Sequence, residues 1–283
     1  MSVKSVLVTG CSAGGIGGAI ALNLATSGHH VFATARNTAK IAPELSSLPN
    51  VTVIQMDVTS SASVTEAAKI VTESGRGLDA LVNNAGGGYG APILDMDIDK
   101  AKRLHEVNVW GVVRCVKAFS DLLIESRGRI VNMSSVGAVV NMPWIAGYAS
   151  SKAALNSISE TLRHELSPFG VTVVTIMGGV ITSLFHENDI PDKLPEGSRY
   201  IPIEDAVEGW TSGRSKPKGM PADQFAAHIA DDIVGNGKGG LVWKGPNAGS
   251  VKIATSWLPS SLIDSAITKD QGLEKLAVNY SRQ

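Results

Sequence analysis

Short apolar runs rich in β-branched residues alternate with longer stretches of helical periodicity along most of the chain. Runs at Ser5–Thr9, His30–Ala35, Val51–Met56, Leu78–Asn83, Arg129–Met133, Val171–Met177 and Gly240–Trp243 read as strands. They are nearly continuous rather than alternating, which is what strands covered on both faces require. Between them, Ile16–Ser27 carries Ile16, Ile20, Leu24 and Ser27 on one stripe, and Asp99–Ser126 is long enough to cover a sheet face as one helix. Further helices are predicted near Tyr148 and over Ala222–Val234. Seven strands joined by right-handed crossovers predict an α/β protein: a doubly wound parallel sheet between two helical layers, an αβα sandwich. In such a sheet the ligand crevice lies beyond the carboxyl ends of the strands, where the strand order reverses.

Two stretches break the rhythm. Residues 183–220, rich in Pro, Gly and mixed charge, are too long for an ordinary connection and read as a substrate-binding insertion. Residues 246–283 form a tail in which Trp257-Leu258-Pro259, Leu262, Ile263 and Ile267 make an apolar helical stripe. Such a stripe suits a membrane or lipid-droplet surface, the active-site mouth or a neighbouring subunit, with interior packing as its usual fate. No stretch of linker composition divides the chain, so residues 1–283 are expected to form a single domain.

Composition narrows the function classes. With 25 basic and 26 acidic residues, the chain lacks the basic excess of a nucleic-acid binder, and a small-molecule partner is expected. Cys11 and Cys115 are too few for a disulfide scaffold, which suits a reduced, cytoplasmic setting. An apolar strand begins within the first few residues, leaving no room for a signal core. No apolar run approaches the roughly 20 residues of a spanning helix, so any membrane contact is expected to be peripheral, at endoplasmic reticulum or lipid droplets. The six histidines show no metal-ligand spacing, and no metal is expected.

The first strand runs into Gly10-Cys11-Ser12-Ala13-Gly14-Gly15-Ile16-Gly17. Glycines here let the backbone turn sharply and approach a pyrophosphate at the positive end of a helix, which makes Gly10, Ser12, Gly15 and Ile16 candidate cofactor residues. The second strand ends at Arg36, where a dinucleotide fold meets the adenosine ribose. A carboxylate there would repel a 2′-phosphate, whereas Arg36 attracts one, and NADP(H) is the expected cofactor. Asp57-Val58 and Asn84-Ala85-Gly86 end the third and fourth strands, where they would line the adenosine side of the crevice; both are equally ordinary turn sequences.

Tyr148 and Lys152 stand four apart on a predicted helix and share a face. Ser134-Ser135 ends the fifth strand and brings a hydroxyl to the same crevice mouth. Reducing a carbonyl needs a proton donor for the forming alkoxide, and a tyrosine suits the task when a neighbouring cation such as Lys152 lowers its pKa. A serine hydroxyl can hold the substrate oxygen as charge develops on it.

Gly10 with Gly15-Ile16-Gly17, Asn83-Asn84-Ala85-Gly86, Asn108, Ser135 and Tyr148-Ala149-Ser150-Ser151-Lys152 stand in the order and spacing of the short-chain dehydrogenase/reductase family, which the chain resembles from residue 3 to residue 245. The resemblance implies a Rossmann-type sheet. It implies Tyr148 as acid/base, Lys152 as binder of the nicotinamide ribose, Ser135 rather than Ser134 as carbonyl orienter, and Asn108 as holder of a relay water. It also implies Val180 and Thr182 beside the nicotinamide, and a homo-oligomer, dimer or tetramer. The glycine turn carries one residue more than the common form, at Ser12 or Ala13, and Met177-Gly178-Gly179 replaces the usual Pro-Gly after the sixth strand. These features, with Gly219-Met220-Pro221-Ala222-Asp223, resemble a narrower fungal group, the 1-acyldihydroxyacetone-phosphate reductase-like enzymes.

Trp144, before the catalytic helix, and Phe185 and Tyr200 of the insertion are candidate walls of an apolar substrate pocket; Leu194 and Trp210 have the same character. Packing of the insertion onto its own core fits the pattern equally well. Arg214, Lys216 and Lys218 would suit a phosphorylated substrate, although loop charges are mostly solvated. Three functions remain open at this level: an NADPH-dependent ketone reductase of lipid-related or secondary-metabolite substrates, an alcohol dehydrogenase run in the oxidising direction, and a silent dinucleotide-binding scaffold.

Overall fold

The computed structural model describes residues 2–184, 193–215 and 217–281. Its strands are β1 (Ser5–Thr9), β2 (His30–Ala35), β3 (Val51–Gln55), β4 (Ala80–Asn83), β5 (Arg129–Ser135), β6 (Thr172–Gly178), β7 (Ile181–Thr182), β8 (Met220–Pro221) and β9 (Gly240–Lys244). The helices are α1 (Ile16–Thr26), α2 (Pro43–Ser46), α3 (Ser61–Glu73), α4 (Ile98–His105), α5 (Gly111–Glu125), α6 (Ala146–Leu166), α7 (Glu204–Thr211), α8 (Ala222–Val234), α9 (Ala248–Trp257), α10 (Ser260–Thr268) and α11 (Leu273–Ser281).

Seven parallel strands form one sheet in the order β3-β2-β1-β4-β5-β6-β9. Every residue of β1, β2 and β4 is buried, as the continuous apolar runs require. Because successive side chains point to opposite faces, Val6 and Val8 join one core with Ile20 and Leu24 of α1 and Phe225 and Ile229 of α8. Leu7, between them, joins the other with Val64 of α3, Phe119 and Leu123 of α5, and Leu155 of α6. Full burial of Phe119 or Phe225 stabilises the fold by about 1.5–3 kcal/mol each. The order reverses between β1 and β4, and the crevice opens there at the carboxyl ends.

The structure departs from the expected elements in three places. The helix expected over Asp99–Ser126 is interrupted by a π-helical stretch, Glu106–Trp110, between α4 and α5. β7 and β8 pair over two residues and pin together the two ends of the insertion, a link no local pattern reveals. The apolar stripe of the tail is not buried inside, contrary to the expectation of interior packing. Pro259 ends the helical run, because the residue before a proline is pushed to extended backbone, and Leu258 adopts φ −91° and ψ 145°. Trp257, at the resulting corner, is 82% exposed, and Leu258 and Leu262 are exposed as well.

Part of the insertion folds on itself. Trp144, Ile203 and Val207 form a small satellite core with Leu194, Tyr200, Trp210 and, from α11, Leu273 and Leu276. Among the described residues, no helix is long and apolar enough to cross a membrane.

Candidate active site

β1 delivers the chain to the glycine turn through Thr9, whose hydroxyl accepts from the backbone N–H groups of Asn84 and Ala85 at 2.9 and 2.8 Å. The Asn84 amide donates back to the Thr9 carbonyl at 2.8 Å, so this side chain laces the ends of β1 and β4 together. Gly10 has φ +75°, and a Cβ there would lie 2.9 Å from the Ala85 Cα. A Cβ on Gly17 would meet the Gly10 carbonyl oxygen at 2.5 Å, so both glycines are obligatory for the close approach of turn and helix. The Gly15 N–H donates to the Ser12 carbonyl at 3.1 Å, which closes a β-turn over Ser12–Gly15 with Gly14 at φ +70° in its third position. The added residue is therefore accommodated at Ala13-Gly14.

Helix α1 begins at Ile16 with no side-chain cap and no acidic residue in its first turn. Its first N–H groups have no intrahelical acceptor and form a positive end suited to an anion. The residues present fit a dinucleotide pyrophosphate. The Gly15 N–H is engaged with the Ser12 carbonyl.

Arg36, exposed just past β2, has no carboxylate partner among the ion pairs of the described residues. The Thr38–Lys40 turn that follows is tied to the glycine turn by the Ala13 N–H, which donates to the Lys40 carbonyl at 2.8 Å. One carboxylate oxygen of Asp57 accepts from the Thr59 N–H and hydroxyl at 2.9 and 2.8 Å, a local turn that leaves its other oxygen for a ligand. Val58 is buried at that corner, where a Cβ on Gly111 would lie 2.9 Å from its Cγ2.

The π-helical stretch aims Asn108 into the site. Its Oδ1 accepts from the Gly87 N–H at 2.9 Å, and its Nδ2 donates to the Gly87 carbonyl at 3.1 Å and to the Ser151 hydroxyl at 2.9 Å. Ser151 donates in turn to the Tyr148 carbonyl at 2.7 Å. Asn108 thus links the loop after β4 to the start of α6. A Cβ on Gly86 would approach both the Asn108 Oδ1, at 3.0 Å, and the Lys152 Nζ, at 3.7 Å, so Gly86 marks where these groups converge.

Ser135, the last residue of β5, accepts from the Gly137 N–H at 3.0 Å and is hydrogen-bonded to Tyr148. Ser134 is buried and its hydroxyl has no partner. Strand alternation explains the difference, since neighbouring side chains leave on opposite faces. The buried Lys152 Nζ donates to the Met133 carbonyl at 2.8 Å and lies 5.9 Å from the centre of the Tyr148 ring. Burial pulls the lysine down to about 8. It pushes the Tyr148 phenol above its ordinary value, an effect the hydrogen bond with Ser135 opposes. The lowered tyrosine pKa expected from Lys152 is therefore absent: burial outweighs the Ser135 hydrogen bond.

Val180 offers little backbone to a cofactor. Its N–H donates to the Pro246 carbonyl at 3.3 Å, and its carbonyl accepts from Met220. Thr182 is exposed within β7. Trp144 and Tyr200 meet edge to face at 5.4 Å in the satellite core, beside the start of α6, and Trp144 adopts φ +71°, a costly conformation for a bulky residue. Phe185 and Lys216 lie outside the described residues.

Sequence reasoning missed Gly137, Ser151, Gly87 and the loop that carries Tyr89 and Met96. A Cβ on Gly137 would touch the Tyr148 ring at 3.4 Å, and one on Gly147 would lie 3.2 Å from Tyr89 and 3.6 Å from Met96. The Asp95 carboxylate accepts from Ser198 of the insertion at 2.6 Å, so this loop and the insertion are joined directly. Only Ser151 had a local signal, three residues after Tyr148 on the same helix face.

The sequence model of the short chain dehydrogenase family matches residues 4–193. The chain is 39% identical over 274 residues to the short-chain dehydrogenase ptmH of Penicillium ochrochloron, covering 96% of this chain and 100% of that one. It is 36% identical over 240 residues to the NADPH-dependent 1-acyldihydroxyacetone phosphate reductase of Schizosaccharomyces pombe, covering 83% of this chain and 80% of that protein. The crystal structure of a short-chain dehydrogenase from Streptomyces avermitilis superposes with a TM-score of 0.76 at 26% identity, over 99% of this chain and 98% of that one.

Proposed function

The chain belongs to the short-chain dehydrogenase family, and from that premise we propose that it is an NADPH-dependent reductase that converts a ketone to a secondary alcohol. The observation that carries this reading is the convergence of Ser135, Tyr148 and Lys152 at the carboxyl end of β5, with Ser135 hydrogen-bonded to the tyrosine.

NADPH, when bound, supplies the hydride. Tyr148 donates its phenolic proton to the carbonyl oxygen as the alkoxide forms, and a pKa held high by burial keeps that proton in place at neutral pH. The Gly137 N–H occupies one lone pair of the Ser135 hydroxyl and fixes it beside Tyr148, where it can donate its proton to the substrate oxygen. Lys152 holds the nicotinamide ribose, and the proton that Tyr148 gives up is restored from solvent through the Lys152 ammonium and a relay water at Asn108, groups that converge at Gly86.

Arg36 supports the preference for NADP(H), since its guanidinium would pair with a 2′-phosphate that a carboxylate would repel. The positive end of α1, with Ile16, receives the pyrophosphate, and Asp57, Val58, Ala85 and Gly86 line the adenosine side. Trp144 and Tyr200 pack in the satellite core of the insertion beside the start of α6, and an apolar insertion next to Tyr148 supports a lipid-related or secondary-metabolite ketone.

The test is nicotinamide absorbance with a panel of aliphatic, aromatic and phosphorylated ketones. Tyr148→Phe should lose nearly all turnover, and turnover that survives would sink the mechanism. Arg36→Asp should shift preference toward NADH; an unchanged ratio would refute the ribose argument.

A further inference from the structure

The glycine turn is one residue longer than the family's common form, and the added length makes the β-turn over Ser12–Gly15. The Gly14 carbonyl accepts from the Leu184 N–H at 3.2 Å, and a Cβ on Gly14 would lie 2.7 Å from the Leu184 Cγ, inside the volume of that side chain. Leu184 lies two residues beyond the end of β7, which β8 clamps to the far end of the insertion. Gly219 completes the clamp, because a Cβ there would meet the Thr182 N at 2.6 Å and the Val180 carbonyl oxygen at 2.7 Å. The insertion is therefore fixed to the cofactor turn at residue 14 and to its own exit at residues 220–221.

We propose that Gly14 and Leu184 form a latch that positions the start of the insertion across the glycine turn, so that insertion and bound dinucleotide hold each other in place. Both are positioning residues. Gly14 meets two demands at once: φ +70° for the turn and an absent side chain for the leucine. A longer turn gives the insertion a seat, and the cofactor is retained in proportion to how firmly that seat is filled. The proposal rests on the dinucleotide reading above.

Leu184→Ala tests it without disturbing the core, since Leu184 is 43% exposed and outside the sheet cores. Stopped-flow fluorescence should show NADPH leaving the variant about five-fold faster than the unaltered protein, the loss expected for a half-exposed leucine contact. The KM for NADPH should rise with kcat unchanged or higher. Gly14→Ala should also hasten release, and its cost should be smaller in the Leu184→Ala background, where the added Cβ no longer meets the leucine. In the cofactor-free protein, exchange of the residue-184 amide should accelerate in each variant while β1 and β5 stay protected. Unchanged release and exchange in Leu184→Ala, or strictly additive effects in the double variant, would overturn the latch. Failure of the unaltered protein to bind any dinucleotide would instead overturn the cofactor reading.

Discussion

Asn108→Leu is the substitution whose cost can be worked most directly from the site. Asn108 is fully buried and makes three hydrogen bonds, two to the Gly87 backbone and one to Ser151, at 2.9, 3.1 and 2.9 Å. Leucine fills a similar space but leaves the Gly87 N–H and carbonyl without partners. Each lost bond costs about 1 kcal/mol net, and a buried group left unsatisfied costs about 1–3 kcal/mol. Gly87 is half-buried, so water can recover part of that penalty, and the expected loss is about 2–4 kcal/mol. That corresponds to a fall of roughly 3–7 °C in the melting temperature of a chain this size. Urea unfolding followed by circular dichroism reads the change directly, with an unaltered m-value. Activity should fall further than stability explains at temperatures where the variant is folded, since Gly86 loses its fixed place beside Lys152. A loss below about 1 kcal/mol would refute the claim that Asn108 ties the β4 loop to α6.

Two further predictions concern pH. For ketone reduction, kcat/KM should fall above about pH 8, where Lys152 loses its proton, while the phenol of Tyr148, pushed upward by burial, stays protonated. A profile flat to pH 10 would refute the role of Lys152. At the amino ends of the strands, burial lowers both His29 and His30 from the ordinary 6.5, so the fold prefers them neutral. Their contribution to stability is complete above 6.5 and is lost as pH falls toward the lower folded values, where the unfolded chain binds more protons. Urea midpoints between pH 7.5 and 5 should therefore decline, less steeply in His29→Asn; a midpoint that rises on acidification would refute the assignment.

Local pattern was enough for the strands because a buried parallel strand must be apolar along its whole length. β1 and β2 coincide with their expected spans, and the other sheet strands differ only at their ends. It failed for the helix expected over Asp99–Ser126, where the sequence keeps helical periodicity through the π-helical stretch that turns Asn108 inward. The tail failed for a different reason. An apolar stripe says that something will be covered, not what covers it, and Trp257 is left at the surface of the folded chain.

The sequence by itself determined the sheet, the crevice at its carboxyl ends, and the candidates Ser135, Tyr148 and Lys152, because each is written in residues close together along one element. Tertiary structure alone decided how they act on one another. The hydrogen bond between Ser135 and Tyr148, the bonds from Asn108 to Gly87 and Ser151, and the seat of Leu184 on Gly14 join residues on different elements. Burial sets the direction of the Tyr148 and Lys152 shifts, and burial belongs to the folded chain as a whole.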